Sequence, residues 1–210
     1  MDLFLISFGA LFSIMNPLGT VPVFVSLTQE NTKRERAITA FWTALNVFII
    51  LLLSFFAGQY ILSFFGISLN ALKIAGGLII ASSGFALLTG KFKEHKGMKR
   101  DKVQKDIHSR EAISLTPLAI PMLAGPGTIS LLITFNQEYQ STIQIGVILM
   151  AMLVTTISIY LILKSSHFIV NFLGASGINA LSRVIGFIVI AIGVEYIISS
   201  VVAIIEGLQL

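Results

Sequence analysis

The chain has 210 residues, of which 55% are hydrophobic and 11% are charged, and its formal net charge is +4. Soluble domains carry about 25% charged residues, so a water-soluble fold of this length could not bury so much apolar surface. The apolar segments are continuous rather than alternating, so they predict membrane-spanning helices and exclude a transmembrane barrel. The basic residues lie mainly beside these segments, which argues against nucleic-acid binding. Cysteine is absent, which excludes thiolate metal sites, and we expect neither a metal nor a cofactor.

Six apolar stretches are each long enough to cross the hydrocarbon core, which takes about 20 helical residues. The sequence therefore predicts an all-α membrane protein of six transmembrane helices. The acidic residue in Met1-Asp2-Leu3 is unlike the basic start of a signal peptide, so we expect the first stretch to be a mature helix. The predicted spans lie near 3–28, 37–58, 69–89, 113–135, 143–164 and 180–203.

Basic residues predict the orientation of these helices. Lys33, Arg34 and Arg36 lie between the first two spans, eight bases lie in 90–112, and Lys164 begins the loop after the fifth span. All three groups fall on one side, which the positive-inside rule assigns to the cytoplasm. We expect a multi-pass protein of the cell (inner) membrane with both termini outside and membrane lipid as a partner. The 90–112 loop is interpreted as a basic cytoplasmic linker, in preference to a docking site for anionic lipid or a protein.

The segments 1–89 and 113–210 show an internal repeat at a shift of 108 to 109 residues. A repeat of three spans is odd, so the second copy must enter the membrane in the opposite sense. Inverted repeats of this kind are typical of secondary transporters, although a duplication without a transport role would leave the same pattern. The matches are Gly19-Thr20 with Gly127-Thr128, Gln29-Glu30 with Gln137-Glu138, Asn70-Ala71-Leu72 with Asn179-Ala180-Leu181, and Gly77 and Gly84 with Gly186 and Gly193.

The first and fourth spans carry matching interruptions near their middles. The first contains Pro17 and Pro22 around Gly19-Thr20, and the fourth contains three prolines and two glycines between 117 and 128. Proline lacks a backbone N–H and clashes with the preceding turn, whereas glycine adopts conformations that other residues avoid. The pattern predicts that both helices break near the midplane. We expect Thr20 or Thr128 to cap the following half-helix and Pro22 to lie in its first turn.

Backbone groups freed at such breaks must be buried in protein or line a polar cavity. Half-helix N-termini favour anionic groups and C-terminal carbonyls favour cations. A zwitterion such as an amino acid would use both, although an ion or another small solute also fits. Simple proline kinks are the structural alternative. The candidate substrate-binding residues are Asn16, Pro17, Gly19, Thr20, Gly125, Gly127 and Thr128.

Two motifs carry a family resemblance. The runs MNPLGTVPVF at 15–24 and LAGPGTIS at 123–130 resemble the MarC family of bacterial and archaeal membrane proteins. The resemblance covers essentially the whole chain, including the six spans and the basic central loop. It implies solute transport, with small neutral amino acids as the leading substrates and the proton gradient as the driving force.

Charged residues inside the predicted spans are few. Glu195 lies about 12 Å from the outer end of the sixth span, where a charge costs about 3 kcal/mol. It is a candidate for proton coupling, with a structural role as the alternative because it lies nearly opposite Gly186 and Gly193. Lys73, at the outer end of the third span, could pair with Glu195 or anchor the helix end. The glycines of these spans are interpreted as positions of close helix packing rather than of ligand contact, and they lie at 76, 77, 84, 186 and 193.

We therefore expect a secondary transporter of small neutral amino acids that is proton-coupled and works by alternating access. The partners would be the amino acid, a proton or another coupling ion, and lipid, with a homo-oligomer left open. The alternatives are a small-solute or ion channel and an exporter of another small metabolite. An enzyme is not expected, because His95, His108 and His167 are not paired with acids inside a span.

Overall fold

The computed structural model describes residues 2–29, 31–89, 118–119 and 123–208. Within these residues the fold is entirely helical, which confirms the predicted all-α class. The linker at 90–112, with His95 and His108, lies outside the described residues. The seven helices are α1 (Asp2–Met15), α2 (Pro17–Leu27), α3 (Lys33–Phe65), α4 (Leu69–Thr89), α5 (Pro126–Glu138), α6 (Thr142–Lys164) and α7 (Ser166–Leu208).

Five segments of the described chain are long and apolar enough to span a membrane, and they overlap five of the predicted spans. The predicted fourth span, 113–135, is described only in part, because α5 begins at Pro126 and 113–117 and 120–122 are not described. The arrangement of six spans as two inverted repeats therefore stays a prediction. The five segments are Asp2–Val25, Lys33–Phe65, Leu69–Thr89, Thr142–Lys164 and Ser176–Gly207.

Helix α3 is longer than the predicted span because both of its ends are capped. The Thr32 hydroxyl accepts a hydrogen bond from the Glu35 N–H at 3.3 Å, and the Glu35 carboxylate accepts one from the Thr32 N–H at 2.9 Å. This reciprocal capping box satisfies two N–H groups that a helix start otherwise leaves free. At the other end, Gly66 adopts a left-handed conformation with φ 64°, which glycine adopts without steric penalty. The helix thus continues to Phe65, seven residues beyond the predicted end of the second span at 58.

Helices α4 and α7 pack against each other in antiparallel fashion through glycines. A Cβ atom added to Gly77 would lie 2.6 Å from the Gly193 carbonyl oxygen, and one added to Gly84 would lie 2.6 Å from the Gly186 carbonyl oxygen. The two backbones therefore approach too closely for any larger residue. The interpretation of these glycines as packing residues is confirmed.

The remaining helices surround a larger apolar core. Helix α3 packs against α5 and α6, and α1 packs against α6. A smaller cluster of Ile80, Ile185 and Val189 lies between α4 and α7, and Ile14 and Leu18 pack against it. The junction of α1 and α2 is therefore held against the α4–α7 pair. Fully buried members of the larger core include Leu11, Met15, Phe24, Val47, Phe55, Leu131 and Met152.

Candidate functional site

The junction between α1 and α2 is built around Asn16. This residue has φ 43° and ψ 64°, a left-handed conformation that asparagine tolerates better than most residues. Its Oδ1 atom accepts a hydrogen bond from the Gly19 N–H at 3.1 Å, and Pro17 occupies the first helical position of α2. A Cβ atom added to Gly19 would overlap the Asn16 side chain. Asn16, Pro17 and Gly19 thus form one local structure that ends α1 and starts α2.

The Asn16 side chain leaves one polar group unsatisfied. Asn16 is only 4% exposed, and its Nδ2 atom has no hydrogen-bond partner among the described residues. The Thr20 hydroxyl donates to the Asn16 carbonyl oxygen at 3.4 Å. The expectation that Thr20 caps the helix is therefore wrong. Pro17 takes the first helical position, so the cap is the residue before it, Asn16, which lies four residues before Thr20. Pro22 lies inside α2 rather than in its first turn, for the same reason.

Helix α5 begins in a different way. Gly125 is its N-cap residue, with φ −82° and ψ 174°, and its carbonyl oxygen accepts from the Ile129 N–H at 3.1 Å. Pro126 takes the first helical position, as Pro17 does in α2. The buried Thr128 hydroxyl donates to the Leu123 carbonyl oxygen at 3.3 Å, so the expectation that Thr128 caps this helix is also wrong. Pro117 and Pro121 lie outside the described residues.

The start of α5 has no side-chain cap. Glycine at the cap position has no side chain to offer, and the Gly127 and Thr128 N–H groups make no hydrogen bond within the described part of the chain. The first N–H groups of a helix lack intrahelical partners and lie at the positive end of its dipole. Both helix starts therefore have proline in the first helical position, but the start of α2 has a side-chain cap and the start of α5 does not.

The two helix starts lie beside each other. A Cβ atom added to Gly127 would lie 2.8 Å from Ile80 Cγ1 and 3.6 Å from Ile14 Cγ2. Ile14 precedes Asn16 by two residues, so the structure brings the junction of α1 and α2 to the first turn of α5. Ile14 and Ile80 were not predicted as site residues, because apolar residues at helical spacing are indistinguishable from ordinary core.

The charged residues of the spans lie away from this junction. Lys73 of α4 forms an ion pair with Glu138 at the end of α5, so the alternative in which Lys73 pairs with Glu195 is wrong. Glu195 is exposed on the face of α7 opposite Gly186 and Gly193, which pack against α4. Its role in proton coupling stays a prediction.

Comparison with known proteins identifies the family. The family described as MarC family integral membrane protein matches residues 1–205. The chain belongs to the MarC family. It is 34% identical to the UPF0056 membrane protein YhcE of Escherichia coli over 96% of this chain and 93% of that protein. It is 35% identical to the UPF0056 inner membrane protein MarC of Citrobacter koseri over 98% of both chains.

Family membership establishes the chain as an integral membrane protein. A UPF0056 membrane protein of Methanocaldococcus jannaschii is 36% identical to this MarC-family chain over 96% of it and 98% of the relative. No solved structure matches the chain. The arrangement of the helix starts is therefore argued from this chain's own residues.

A polar cluster of this MarC-family chain lies at the start of α3. Arg36 donates from Nε to the Thr28 carbonyl oxygen and from Nη2 to the Gln29 carbonyl oxygen, each at 3.1 Å. It thereby satisfies carbonyl groups at the end of α2. Burial and, to a smaller extent, the Arg36 charge lower the pKa of His167 below that of a free imidazole.

Proposed function

We propose that this protein is a secondary transporter of small neutral amino acids, coupled to protons, that works by alternating access. The single observation that carries the proposal is the pair of adjacent helix starts at Asn16 and Gly125, of which the first holds a buried Asn16 Nδ2 atom without a hydrogen-bond partner among the described residues. Polar backbone inside a membrane protein is tolerated where it is buried in protein or lines a cavity. Discontinuous helices of this kind form the binding sites of many secondary transporters.

Reciprocal glycine contacts support the inverted repeat in this proposal. Gly77 and Gly84 correspond to Gly186 and Gly193 in the repeat. The contacts pair Gly77 with Gly193 and Gly84 with Gly186, so exchanging each residue for its repeat counterpart gives the same two contacts. Such reciprocity is the property of surfaces related by a two-fold axis.

The position of that axis supports a site near the midplane. It would pass midway between Gly77 and Gly84, beside Ile80, and inverted repeats place this axis in the membrane plane. Ile80 lies against Gly127 at the start of α5. The packing of α3 on α5 and of α1 on α6 also agrees with this two-fold axis. The axis would exchange the first span (α1) with the fourth (α5) and the second (α3) with the fifth (α6), so it would turn one of these contacts into the other. In this proposal the fourth span is completed by residues before α5.

The orientation follows from charge. Lys33, Arg34 and Arg36 begin α3 and Lys164 ends α6, and we assign this side to the cytoplasm by the positive-inside rule. Both termini then lie outside. Relatives named inner membrane protein support the inner membrane as the location, with 90–112 as the cytoplasmic linker between the repeats.

The proposed transport cycle has an outer contact that must break. The Lys73–Glu138 pair joins α4 to the outer end of α5, and the Ser130 hydroxyl donates to the Leu72 carbonyl oxygen at 3.3 Å. Outward opening would separate these groups, whereas inward opening would leave them in place. Glu195 is the coupling candidate, and Glu138 is a second carboxyl group whose partner changes during such a cycle.

Uptake by purified protein in proteoliposomes tests this function. Labelled glycine, alanine or serine should accumulate in a saturable manner when the external solution is acidified, and thermal unfolding should shift upward with the transported amino acid. Thr20→Val and Thr128→Val should reduce uptake, because each removes a buried hydroxyl at a helix start. Flux that does not saturate would instead indicate a channel.

A further inference from the structure

Two buried hydroxyl groups on α1 and α5 are not used by the fold. Ser7 of α1 is 0% exposed and Thr134 of α5 is 1% exposed. Neither hydroxyl has a hydrogen-bond partner among the described residues. Serine and threonine inside a helix commonly donate to the carbonyl four residues earlier, as Thr155 does to Ala151 at 2.8 Å. A buried hydroxyl without a partner costs free energy, so these two require an explanation other than packing.

Helical geometry places the two hydroxyls on facing sides of α1 and α5. A Cβ atom added to Gly127 of α5 would lie 3.6 Å from Ile14 Cγ2 of α1. Ser7 comes seven residues before Ile14 in α1, and Thr134 comes seven residues after Gly127 in α5. Seven residues make almost two helical turns, so each hydroxyl shares a face with its contact residue and lies about 10 Å from it. Because α1 ends at the junction and α5 begins there, both hydroxyls lie on the outer side of this contact.

Polar side chains from three helices lie outward of these hydroxyls. Glu138 lies one turn beyond Thr134 on α5 and pairs with Lys73 of α4. Tyr196 of α7 interacts electrostatically with Glu138 and with Tyr139, and both tyrosines pack against the larger apolar core. The hydroxyls are therefore separated from the outer end of α5 by contacts that an outward opening would have to break.

Burial and charge limit what can satisfy the two hydroxyls. Both are enclosed within one chain, so neither lipid nor a second copy of the chain reaches them. The charged residues of α1 and α5 are Asp2 and Glu138, at the outer ends of the two helices. A neutral lining does not compensate an ion. Hydroxyl groups both donate and accept, so they suit water and a solute without net charge.

We propose that Ser7 and Thr134 line the outer access path of the transport cycle, in the closed form that the Lys73–Glu138 pair holds. In the open form the pair separates and water hydrates both hydroxyls. The ion pair stabilises the closed form and the unpartnered hydroxyls destabilise it, which keeps the two forms close in free energy, as alternating access requires. This assignment rests on the transport function proposed above and adds the route between the site and the outer solution.

Single thiols probe the path directly, because the chain has no cysteine of its own. Thr134→Cys in full-length protein in nanodiscs should react slowly with the charged, water-soluble thiol reagent MTSET. Adding Lys73→Met removes the ion pair and should raise this rate about two- to fivefold, the factor that a partly exposed pair contributes. Ile148→Cys, fully buried in the apolar core on α6, is the control for general loosening and should react equally slowly in both backgrounds.

Removing the hydroxyls separates a role in access from a role in stability. Neither hydroxyl is bonded in the closed form, so Thr134→Val and Ser7→Ala should keep or raise the Tm. Each should nevertheless slow uptake of labelled glycine by about fivefold, because the open form loses a hydrogen bond to water. Thr155→Val is the matched control, since the Thr155 hydroxyl is already bonded within its own helix, and it should leave the uptake rate unchanged.

The outcomes distinguish the access path from the transport function. Equal labelling of Thr134→Cys with and without Lys73→Met would overturn the path while leaving transport intact. A lower Tm with unchanged uptake in Thr134→Val would do the same, because the hydroxyl would then have only a structural role. Labelling that follows the ion pair, in wild-type protein that shows no saturable uptake, would support the path and overturn the transport function.

Discussion

The glycine contact between α4 and α7 gives a prediction whose size follows from the structure. In Gly193→Ala the added Cβ atom would lie 2.6 Å from both the Gly77 carbonyl oxygen and the Ala81 backbone nitrogen. Ordinary contacts of a Cβ atom begin at about 3.4 Å, so the helices would have to separate by roughly 0.8 Å. Backbone shifts of this kind cost about 1–3 kcal/mol, partly offset by about 1 kcal/mol of better helix propensity for alanine. We expect a net loss of about 0–2 kcal/mol, which is about 1–3 kcal/mol worse than a glycine-to-alanine change at an open helix position.

Gly77, the contact partner of Gly193, gives a second test of the same prediction. Gly77→Ala places its Cβ atom 2.6 Å from the Gly193 carbonyl oxygen, so it should cost about the same. The double variant should be less costly than the sum, by about 0.5 kcal/mol or more, because one separation of the helices relieves both contacts. Gly77→Ala combined with Gly186→Ala should be closer to additive, because these residues lie at different contacts.

Denaturant unfolding of the purified protein in detergent measures these differences. Gly146→Ala, at an open position, is the control and should be neutral or stabilising by up to about 1 kcal/mol. If Gly77→Ala and Gly193→Ala are as harmless as this control, the backbones of α4 and α7 are not in contact and the two-fold relation loses its support.

The remaining predictions concern single residues. Lys73→Met leaves Glu138 without its cation and should lower the free energy of unfolding by about 1 kcal/mol at low salt and less at high salt; equal loss at both salt concentrations would exclude an electrostatic cause. Glu195→Gln should abolish accumulation driven by a proton gradient but retain exchange of labelled glycine across the liposome membrane, and full gradient-driven accumulation would remove Glu195 from the coupling mechanism. Gly66→Ala should destabilise the protein by about 1–2 kcal/mol, because alanine is strained at φ 64°; unchanged thermal unfolding would contradict the left-handed cap.

The helical class and the regions of five spans could be predicted because hydrophobicity and length alone determine what can cross a bilayer. Helix ends were harder to predict. The second span was expected to end at 58, whereas α3 continues to Phe65 and ends at Gly66. A glycine is a known stop signal, but the preceding glycine at 58 is an equally good candidate by sequence and is instead a packing position, where an added Cβ atom would overlap Ile133.

The candidate site shows the same limit. Its prolines and glycines can be found from sequence, but the cap residues are not the threonines that common cap preference favours. Pro17 and Pro126 are the better signal, since proline favours the first helical position and the cap is the residue before it. The Lys73–Glu138 pair could not be predicted, because it joins two helices whose relative position no local pattern reveals.

Saturable uptake of labelled glycine by reconstituted protein tests the central claim most directly. The comparison is between the wild-type chain and a variant in which Pro17, Gly19, Gly125 and Gly127 are replaced by alanine, with correct insertion checked for both. Loss of uptake in the variant, with robust saturable uptake by the wild type, is the predicted result. Normal uptake by the variant, or none by the wild type, would contradict a transport site formed by the starts of α2 and α5.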